Sequence, residues 1–188
     1  MKYVLHLKSS LQGAASYSIK LGDAIVEKIH EKYPGSHLTP NTLRTLFSPL
    51  EVLTEEDQRA NHLSDDLVKQ LLAADIIVIG APLINFTIHT SLKACIDHIT
   101  RPRITFGYSE DGRPIGLVTG KKIYIAMSSG GVYSEGPGKE NDFVAPYLKA
   151  FLGFLGMTDS TVFRAEGLKV PGIKELAFEK AIKSIVID

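Results

Sequence analysis

The chain has 188 residues, with 21 basic and 21 acidic side chains, so its formal net charge is zero. A neutral chain is not typical of a nucleic-acid-binding protein, which usually carries a basic patch or stripe. Its one cysteine, Cys95, excludes an intrachain disulfide and a multi-cysteine metal site. No apolar run approaches the ~20 residues that span a bilayer, and the first residues lack the apolar core of a secretion signal. We therefore expect a single domain over residues 1–188, cytoplasmic, with no nucleic-acid or membrane partner.

Five segments have the pattern of β-strands. Residues 76–79 are four β-branched residues without alternation, which is typical of a parallel strand buried on both faces. Pro40 indicates that the second segment is an edge or irregular strand. The expected strands are residues 3–7, 37–43, 76–79, 121–127 and 161–163.

Helical periodicity fills the intervals between these strands. Leu21, Ile25 and Ile29 recur at four-residue spacing, and Ser16 or Ser18 can cap their helix. A second helix is expected to open at Ser64. Further helices are expected over residues 92–99, 144–155 and 173–186, the last with Ile173, Leu176, Ala177 and Ile182 on one side.

Two segments lack this alternation. Residues 44–62 are polar without a clear period, so we expect a connection there. Residues 100–119 resemble a hairpin around Asp111-Gly112 and are expected to leave the sheet as an excursion. Elsewhere strands and helices alternate, which predicts an α/β fold with helices on both faces of a parallel sheet. Five strands suit a doubly wound sheet of order 2-1-3-4-5, which binds ligands outside the carboxyl ends of its strands.

The loop after the first expected strand is rich in hydroxyl groups. Residues 9–18 contain four serines and lead into a helix, whose first amides can bind a phosphate group. The loop has neither the Gly-Lys-Ser/Thr ending of a P-loop nor the Gly-x-Gly-x-x-Gly pattern of dinucleotide binders, so a monophosphate is favoured over a pyrophosphate. The alternative is a capped helix after an ordinary turn.

Two later loops also follow expected strands. The loop at 81–86 places Asn85 and Phe86 beyond a buried strand, and Gly130 and Gly131 in the loop at 128–131 let the backbone approach a ligand closely. The alternatives are a core position for Phe86, a helix cap for Asn85 and a flexible connection at 128–131. Because all three loops follow strands of one parallel sheet, they are expected to converge. Together they suggest a site for flavin mononucleotide (FMN).

Other reactive residues have simpler interpretations. Cys95 is expected to be a buried thiol, and His89 and His98 to be surface or helix-face histidines. Asp65 and Asp66 are interpreted as charges in the first turn of a helix. The spacing of these residues fits no metal motif and no serine–histidine–acid arrangement, so we assign neither a metal ligand nor a catalytic residue.

The chain resembles the FMN-dependent NADH-azoreductases, which are also NADH:quinone oxidoreductases of flavodoxin-like fold, a three-layer sandwich. The matching segments are residues 7–10, 16–18, 81–86, 116–122, 147–156 and 165–167. The resemblance implies that FMN is held by Ser10, Ser16, Tyr17 and Ser18 at its phosphate, and by Leu83, Ile84, Asn85, Phe86, Ser128, Ser129, Gly130 and Gly131 at its isoalloxazine ring. The family commonly has Met-Tyr where Leu83-Ile84 stand and often Arg where Ser129 stands. Backbone contacts should survive these changes, whereas substrate preference is left open.

The resemblance also implies an activity. In the family, NADH gives hydride to the flavin, and a quinone or azo compound then takes it in a ping-pong cycle. The choice between NADH and NADPH as the reductant is left open. Arg101 and Arg103 could bind the 2′-phosphate of NADPH, and the alternative is that both are solvated surface residues. The family shares its site across a homodimer, for which Phe151, Leu155 and the hairpin at 105–112 are candidate contact surfaces. The alternatives are a flavodoxin-like electron carrier, an FMN reductase that releases reduced flavin, and a flavin-free interaction module.

Overall fold

The structure, a computed structural model, describes residues 1–43 and 55–188, with the backbone alone described for 55–63. Its elements in chain order are β1 (Tyr3–Lys8), α1 (Tyr17–Lys32), β2 (His37–Thr42), α2 (Glu55–Ala73), β3 (Ile76–Pro82), α3 (Thr90–Ile99), β4 (Phe106–Tyr108), β5 (Pro114–Gly116), β6 (Lys122–Ser128), α4 (Ala145–Phe154), β7 (Asp159–Ala165) and α5 (Lys174–Lys183). In the described part of the chain, no helix is long and apolar enough to cross a membrane.

The main sheet has five parallel strands in the order β2-β1-β3-β6-β7. Numbered within the sheet, this is the expected order 2-1-3-4-5, and β2 is an edge strand as Pro40 indicated. The short strands β4 and β5 pair antiparallel, with Phe106 opposite Gly116, and confirm the hairpin excursion.

Two apolar cores lie on opposite faces of the sheet. Alternate residues of β3 enter different cores: Ile77 packs with α2, α3 and α4, whereas Val78 packs with α1 and α5. Burial on both faces explains why the central strands read as continuous apolar runs rather than as alternating patterns. The order of the sheet and its two covered faces confirm the expected α/β architecture.

The beginning of α2 differs from the expectation. The helix begins at Glu55 rather than at Ser64, so residues 55–62 are helical, and residues 44–54 of the expected connection lie outside the described residues. Asp65 and Asp66 are therefore in the middle of a helix, not in its first turn. Residues 55–62 are almost entirely polar, so hydrophobic periodicity could not reveal them. Their Glu, Gln, Arg and Ala content was the available signal, because these residues favour helices.

The expected apolar face of α5 is only partly confirmed, because Ile182 packs against the core but Leu176 does not. Leu176, expected to face inward, is 65% exposed. Ala181 is the buried residue of the helix, and Phe178 and the expected Ile182 pack against the same core. Ile185, also buried, lies just beyond the end of the helix. The helix is only 10 residues long, so a small change of phase decides which side chains meet the sheet.

A histidine without a hydrogen-bond partner is buried in β1. His6 is 1% exposed, and neither ring nitrogen is hydrogen-bonded within the described residues. A β-carbon added at Gly22 of α1 would lie 2.5 Å from its Nε2, so the glycine makes room for the ring. Burial, aided by the charge of Lys8 and opposed by Asp23, lowers the pKa of His6 from 6.5 to about 4. The folded protein therefore holds this ring neutral.

His6→Leu is expected to flatten the acid dependence of stability. Between pH 6.5 and 4 the unfolded chain binds a proton at His6 that the folded chain does not, so the wild-type free energy of unfolding falls by about 3 kcal/mol as pH falls through this window. Urea unfolding at pH 7, 5.5 and 4.5 measures the slope, with His37→Gln at an exposed position as the control. An equal slope in wild type and His6→Leu would contradict the burial of a neutral ring.

Candidate functional site

The carboxyl ends of three central strands carry the candidate site. In the sheet, Lys8 of β1 is aligned with Gly80 of β3, and Pro82 of β3 with Ser128 of β6. The order of the strands reverses at β1, and such reversal points are where doubly wound sheets bind ligands. The sheet thus brings together the three loops that the sequence singled out.

Direct hydrogen bonds join the loops. The Ser9 hydroxyl donates to the carbonyl of Gly80 at 2.6 Å, and the Leu83 amide donates to the carbonyl of Ser128 at 2.8 Å. The hydroxyl of Ser91, at the start of α3, donates to the Ser9 carbonyl at 3.1 Å. The three loops therefore have fixed positions relative to one another.

The first loop presents buried hydroxyl groups at a helix N-terminus. Ser10, Ser16 and Ser18 are all buried, and the hydroxyls of Ser16 and Ser18 lie 3.0 Å apart. Ser16 occupies the N-cap of α1, but its side chain makes no capping hydrogen bond. The first helical bond runs from the Lys20 amide to the Ser16 carbonyl, so the three amides before Lys20 have no acceptor within the helix. These donors fit an anionic phosphate.

Tyr17 differs from its serine neighbours. Its ring packs edge-on against Phe178 of α5, with the ring centroids 5.2 Å apart, and the Lys20 ammonium lies 5.4 Å from its centroid. The side chain is thereby engaged with α5 and with its own helix. Its backbone amide is one of the three at the helix start that have no acceptor within the helix.

The second loop is a tight, strained turn. The amides of Ile84 and Thr87 each donate to the other's carbonyl, at 2.9 and 3.1 Å. Between them, Asn85 has φ +48° and Phe86 has φ +71°, a left-handed conformation that is unfavourable for a bulky residue. Strain of this kind persists where the surrounding structure enforces it and is concentrated at functional sites.

The structural alternatives for the second loop are wrong. Phe86 is 46% exposed and is not a core residue. Asn85 does not cap the next helix, because the N-cap of α3 is His89, whose Nδ1 accepts from the Ser91 amide at 3.1 Å. His89 is thus explained by capping. The exposed ring of Phe86 and its strained backbone leave a ligand contact as the better interpretation of this loop.

The third loop is held by the segment that follows β7, so it is not a free connection. The Ser129 amide donates to the Ala165 carbonyl at 3.0 Å, and the Ser129 hydroxyl donates to the Gly131 carbonyl at 2.8 Å. The Gly130 carbonyl accepts from the Lys169 amide at 2.9 Å. A β-carbon at Gly130 would lie 3.1 Å from Cδ of Lys169, whose alkyl chain therefore lies over the glycine.

Several neighbours of these loops were not predicted from the sequence. The Phe143 amide donates to the Phe86 carbonyl at 3.1 Å, and the ring of Tyr133 packs edge-on to that of Phe86 with centroids 6.3 Å apart. Lys169 adds a cation beside the third loop. Of these residues, only Tyr133 could have been found from the sequence, because it lies two residues after the glycine pair. Phe143 is distant in sequence from the end of β6, and Lys169 follows β7, whose loop is not one of the three that the sequence singled out.

The reactive residues outside the loops are structural. Burial raises the pKa of the Cys95 thiol to about 12, so it is not a nucleophile at neutral pH. Arg101 pairs with Asp65 across 2.6 Å, which accounts for its charge. In the described ranges no three His, Cys, Asp or Glu side chains are grouped to hold a metal ion.

A concavity of about 400 Å³ lies at the opposite, amino-terminal end of the sheet. Its lysines are already engaged: Lys2 pairs with Asp75, Lys122 pairs with Asp159 and Asp188, and Lys121 donates to the Leu72 carbonyl. Gly120 and Gly156, both with positive φ, border it, but among the described residues no non-glycine residue with a positive φ does. We therefore place the candidate site at the carboxyl end of the sheet.

Comparison with known proteins assigns the chain to a class and then to a family. A family model for the flavodoxin-like fold matches residues 2–186. The chain is 44% identical over 181 residues to an FMN-dependent NADH:quinone oxidoreductase of Herminiimonas arsenicoxydans, which covers 89% of this chain and 88% of that protein. The chain has the flavodoxin-like fold and belongs to the family of FMN-dependent NADH:quinone oxidoreductases, which are enzymes.

Solved structures of azoreductases are similar over nearly the whole chain. An azoreductase from Bacillus anthracis strain Sterne has a TM-score of 0.87 at 32% identity, covering 97% of this chain and 96% of that one. An FMN-dependent NADH-azoreductase from Bacillus anthracis strain Ames Ancestor, in complex with FMN, has a TM-score of 0.83 at 26% identity, with coverage of 98% and 97%. The sequence-based resemblance to azoreductases is confirmed.

Proposed function

We propose that the protein passes a hydride from NADH or NADPH, through bound FMN, to a quinone or an azo compound. The observation that carries the proposal is the convergence of a hydroxyl-rich helix start and two backbone-led loops at the switch point of the sheet. Relatives named FMN-dependent NADH:quinone oxidoreductase and azoreductase support the same reading. FMN supplies the hydride chemistry when bound, and the chain supplies position and polarity.

The first loop is proposed to hold the phosphate. The hydroxyls of Ser10, Ser16 and Ser18 are donors in a buried setting, and the opening amides of α1, including that of Tyr17, add the positive end of the helix dipole. These groups neutralise a dianion without a cationic side chain. A single helix start of this kind can bind one phosphate group, in agreement with a mononucleotide.

The other two loops are proposed to hold the isoalloxazine ring. Leu83 to Phe86 and Ser128 to Gly131 place backbone groups at adjacent strand ends, where they can meet the polar edge of a flat ring. Donors fixed in this way stabilise charge that develops on the ring during reduction. Ile84 and Phe86 present exposed apolar surface beside the ring site, which suits a planar acceptor such as a quinone.

Gly130→Val is expected to weaken FMN binding by about tenfold or more, because a branched side chain would crowd the third loop, whose backbone is proposed to contact the ring. The fold should be retained, since the nearest neighbour of an added β-carbon is the flexible end of Lys169, 3.1 Å away. Fluorescence titration of FMN measures the dissociation constant. The matched control is Gly130→Val combined with Lys169→Ala, which removes the crowding within the chain. Wild-type affinity in both variants would show that the third loop does not contact the ring.

Purified protein is expected to be yellow, or to become so with added FMN, and to oxidise NADH through many turnovers with benzoquinone. The spectrum and the NADH absorbance at steady state measure both properties. A colourless protein that takes up no FMN would contradict the proposal. Oxidation that stops after one turnover would indicate an electron carrier, and loss of flavin from the protein during turnover would indicate an FMN reductase.

A stopped-flow comparison of the rates of flavin reduction by NADH and by NADPH decides which of them is the reductant.

We also propose that the protein is a homodimer in the cytoplasm, where NADH is available. The hairpin carries an exposed apolar patch of Ile104, Tyr108, Ile115 and Leu117. It adjoins α4, because the rings of Phe106 and Phe154 pack with centroids 4.9 Å apart. One expectation needs correction: Leu155 is fully buried in the chain's own core, so it is not a contact surface, whereas Phe151 is only partly buried.

Ile115→Glu is expected to shift the protein to a monomer and to lower its turnover, because a charge would be buried in the proposed contact. Analytical ultracentrifugation at several concentrations measures the state of association. Leu176→Glu, which places the same charge at an exposed leucine of α5, is the control and should remain a dimer. A monomeric wild-type protein, or a dimeric Ile115→Glu variant, would contradict this surface.

A further inference from the structure

One arginine of β7 bridges two carboxylates beneath the third loop. Arg164 Nη2 donates to Oδ2 of Asp142 at 2.6 Å, and its Nη1 donates to Oε1 of Glu166 at 3.1 Å and to the sulfur of Met127 at 3.3 Å. The carboxylates are well buried, with side-chain exposures of 7% for Asp142 and 10% for Glu166. Such a pair of buried anions needs a cation between them.

Each carboxylate also holds backbone. Glu166 accepts from the amides of Tyr133 and Ser134, at 3.1 and 3.3 Å. Asp142 accepts from the amides of Val144 and Ala145, at 3.0 and 3.1 Å, and so caps the start of α4. Glu166 thus fixes the beginning of the segment from residue 133 to residue 143, Asp142 fixes its end, and Arg164 joins the two.

This segment follows the third loop in the chain and contacts the second loop at both of its ends. At its beginning, the ring of Tyr133 lies beside both Gly131 and Phe86: a β-carbon at Gly131 would be 3.2 Å from the Tyr133 ring, and the Phe86 ring centroid is 6.3 Å away. At its end, the Phe143 amide donates to the carbonyl of Phe86. Both ends of the segment therefore contact the strained turn of the second loop.

We propose that Arg164 is a positioning residue of the FMN and acceptor site. By joining Glu166 to Asp142 it sets the positions of Tyr133, Phe143 and the glycine loop, and through them the affinity for FMN and for the acceptor. The guanidinium of Arg164 is engaged by the two carboxylates, so it acts through these neighbours and not as a ligand contact. The inference rests on the proposed function and adds to it the residue that couples the two ring-binding loops.

The guanidinium group suits this role better than an ammonium would. Its two terminal nitrogens each serve a different carboxylate, so one side chain fixes two directions at once. Lysine at this position keeps the charge but offers a single nitrogen. Arg164→Lys is therefore expected to have an intermediate effect, and Arg164→Gln the full one.

The test compares FMN affinity, steady-state kinetics and hydrogen exchange in wild type, Arg164→Gln and Arg164→Lys. Arg164→Gln is expected to raise the FMN dissociation constant about tenfold and to raise KM for benzoquinone more than it lowers kcat. Amides of residues 130–143 should exchange faster in the FMN-free variant. Where Arg164→Gln does not fold, the combination of Arg164→Met, Asp142→Asn and Glu166→Gln removes the bridge without stranding charge, and the same results are expected of it.

Lys122→Gln is the matched control. Lys122 also bridges two carboxylates, Asp159 at 2.8 Å and Asp188 at 2.7 Å, but at the opposite end of the sheet. It should lower stability without changing FMN affinity or KM. Wild-type affinity and KM in Arg164→Gln, or equal losses in Lys122→Gln, would overturn the inference. A wild-type protein that binds no FMN would overturn the proposed function itself, and the inference with it.

Discussion

Parallel pairing of β1, β3 and β6 is the constraint on which the rest of the molecule depends. The register aligns Lys8 with Gly80 and Pro82 with Ser128, so each of these strands ends at the same edge. Because neighbouring strands are about 5 Å apart, the loops after β3 and β6 begin side by side, and the loop after β1 begins beside the last residues of β3. The serine-rich helix start, the strained turn and the glycine loop are neighbours for this reason.

The two faces of the sheet stabilise the fold, whereas its carboxyl edge carries the candidate site. On the faces, β-branched residues of β3 and β6 are buried against five helices in two separate cores, and this burial supplies the stability. At the edge, buried serines, a left-handed phenylalanine and an arginine between two carboxylates are individually unfavourable features. A stable sheet can carry them, and their concentration at one edge is typical of a functional site.

Much of this architecture could be predicted from the sequence. The continuous apolar run at 76–79 indicated a central parallel strand, Pro40 indicated an edge strand, and the three loops were recognised by their residue types. The beginning of α2 and the inward face of α5 could not be found from periodicity. In α2 the opening residues are polar, and in α5 the apolar residues occur on more than one side.

The ion pairs that join the second and third loops could not be predicted from the sequence, for a different reason. Asp142, Arg164 and Glu166 are separated by up to 24 residues, counted from 142 to 166, and ordinary charged residues give no local signal of an ion pair. Only the pairing of β6 with β7 brings Arg164 beside Met127 and beneath the third loop. Phe143 is likewise placed by the cap of α4, not by any pattern around it.

Hydrogen exchange with and without FMN tests the location of the site most directly. We expect FMN to slow exchange at the opening amides of α1, at residues 83–87 and at residues 129–131 together, because all three loops meet at one ligand. Amides around Lys2 and Lys121, at the opposite end of the sheet, should be unchanged. FMN that binds while protecting the amino-terminal end, or none of the three loops, would contradict the account.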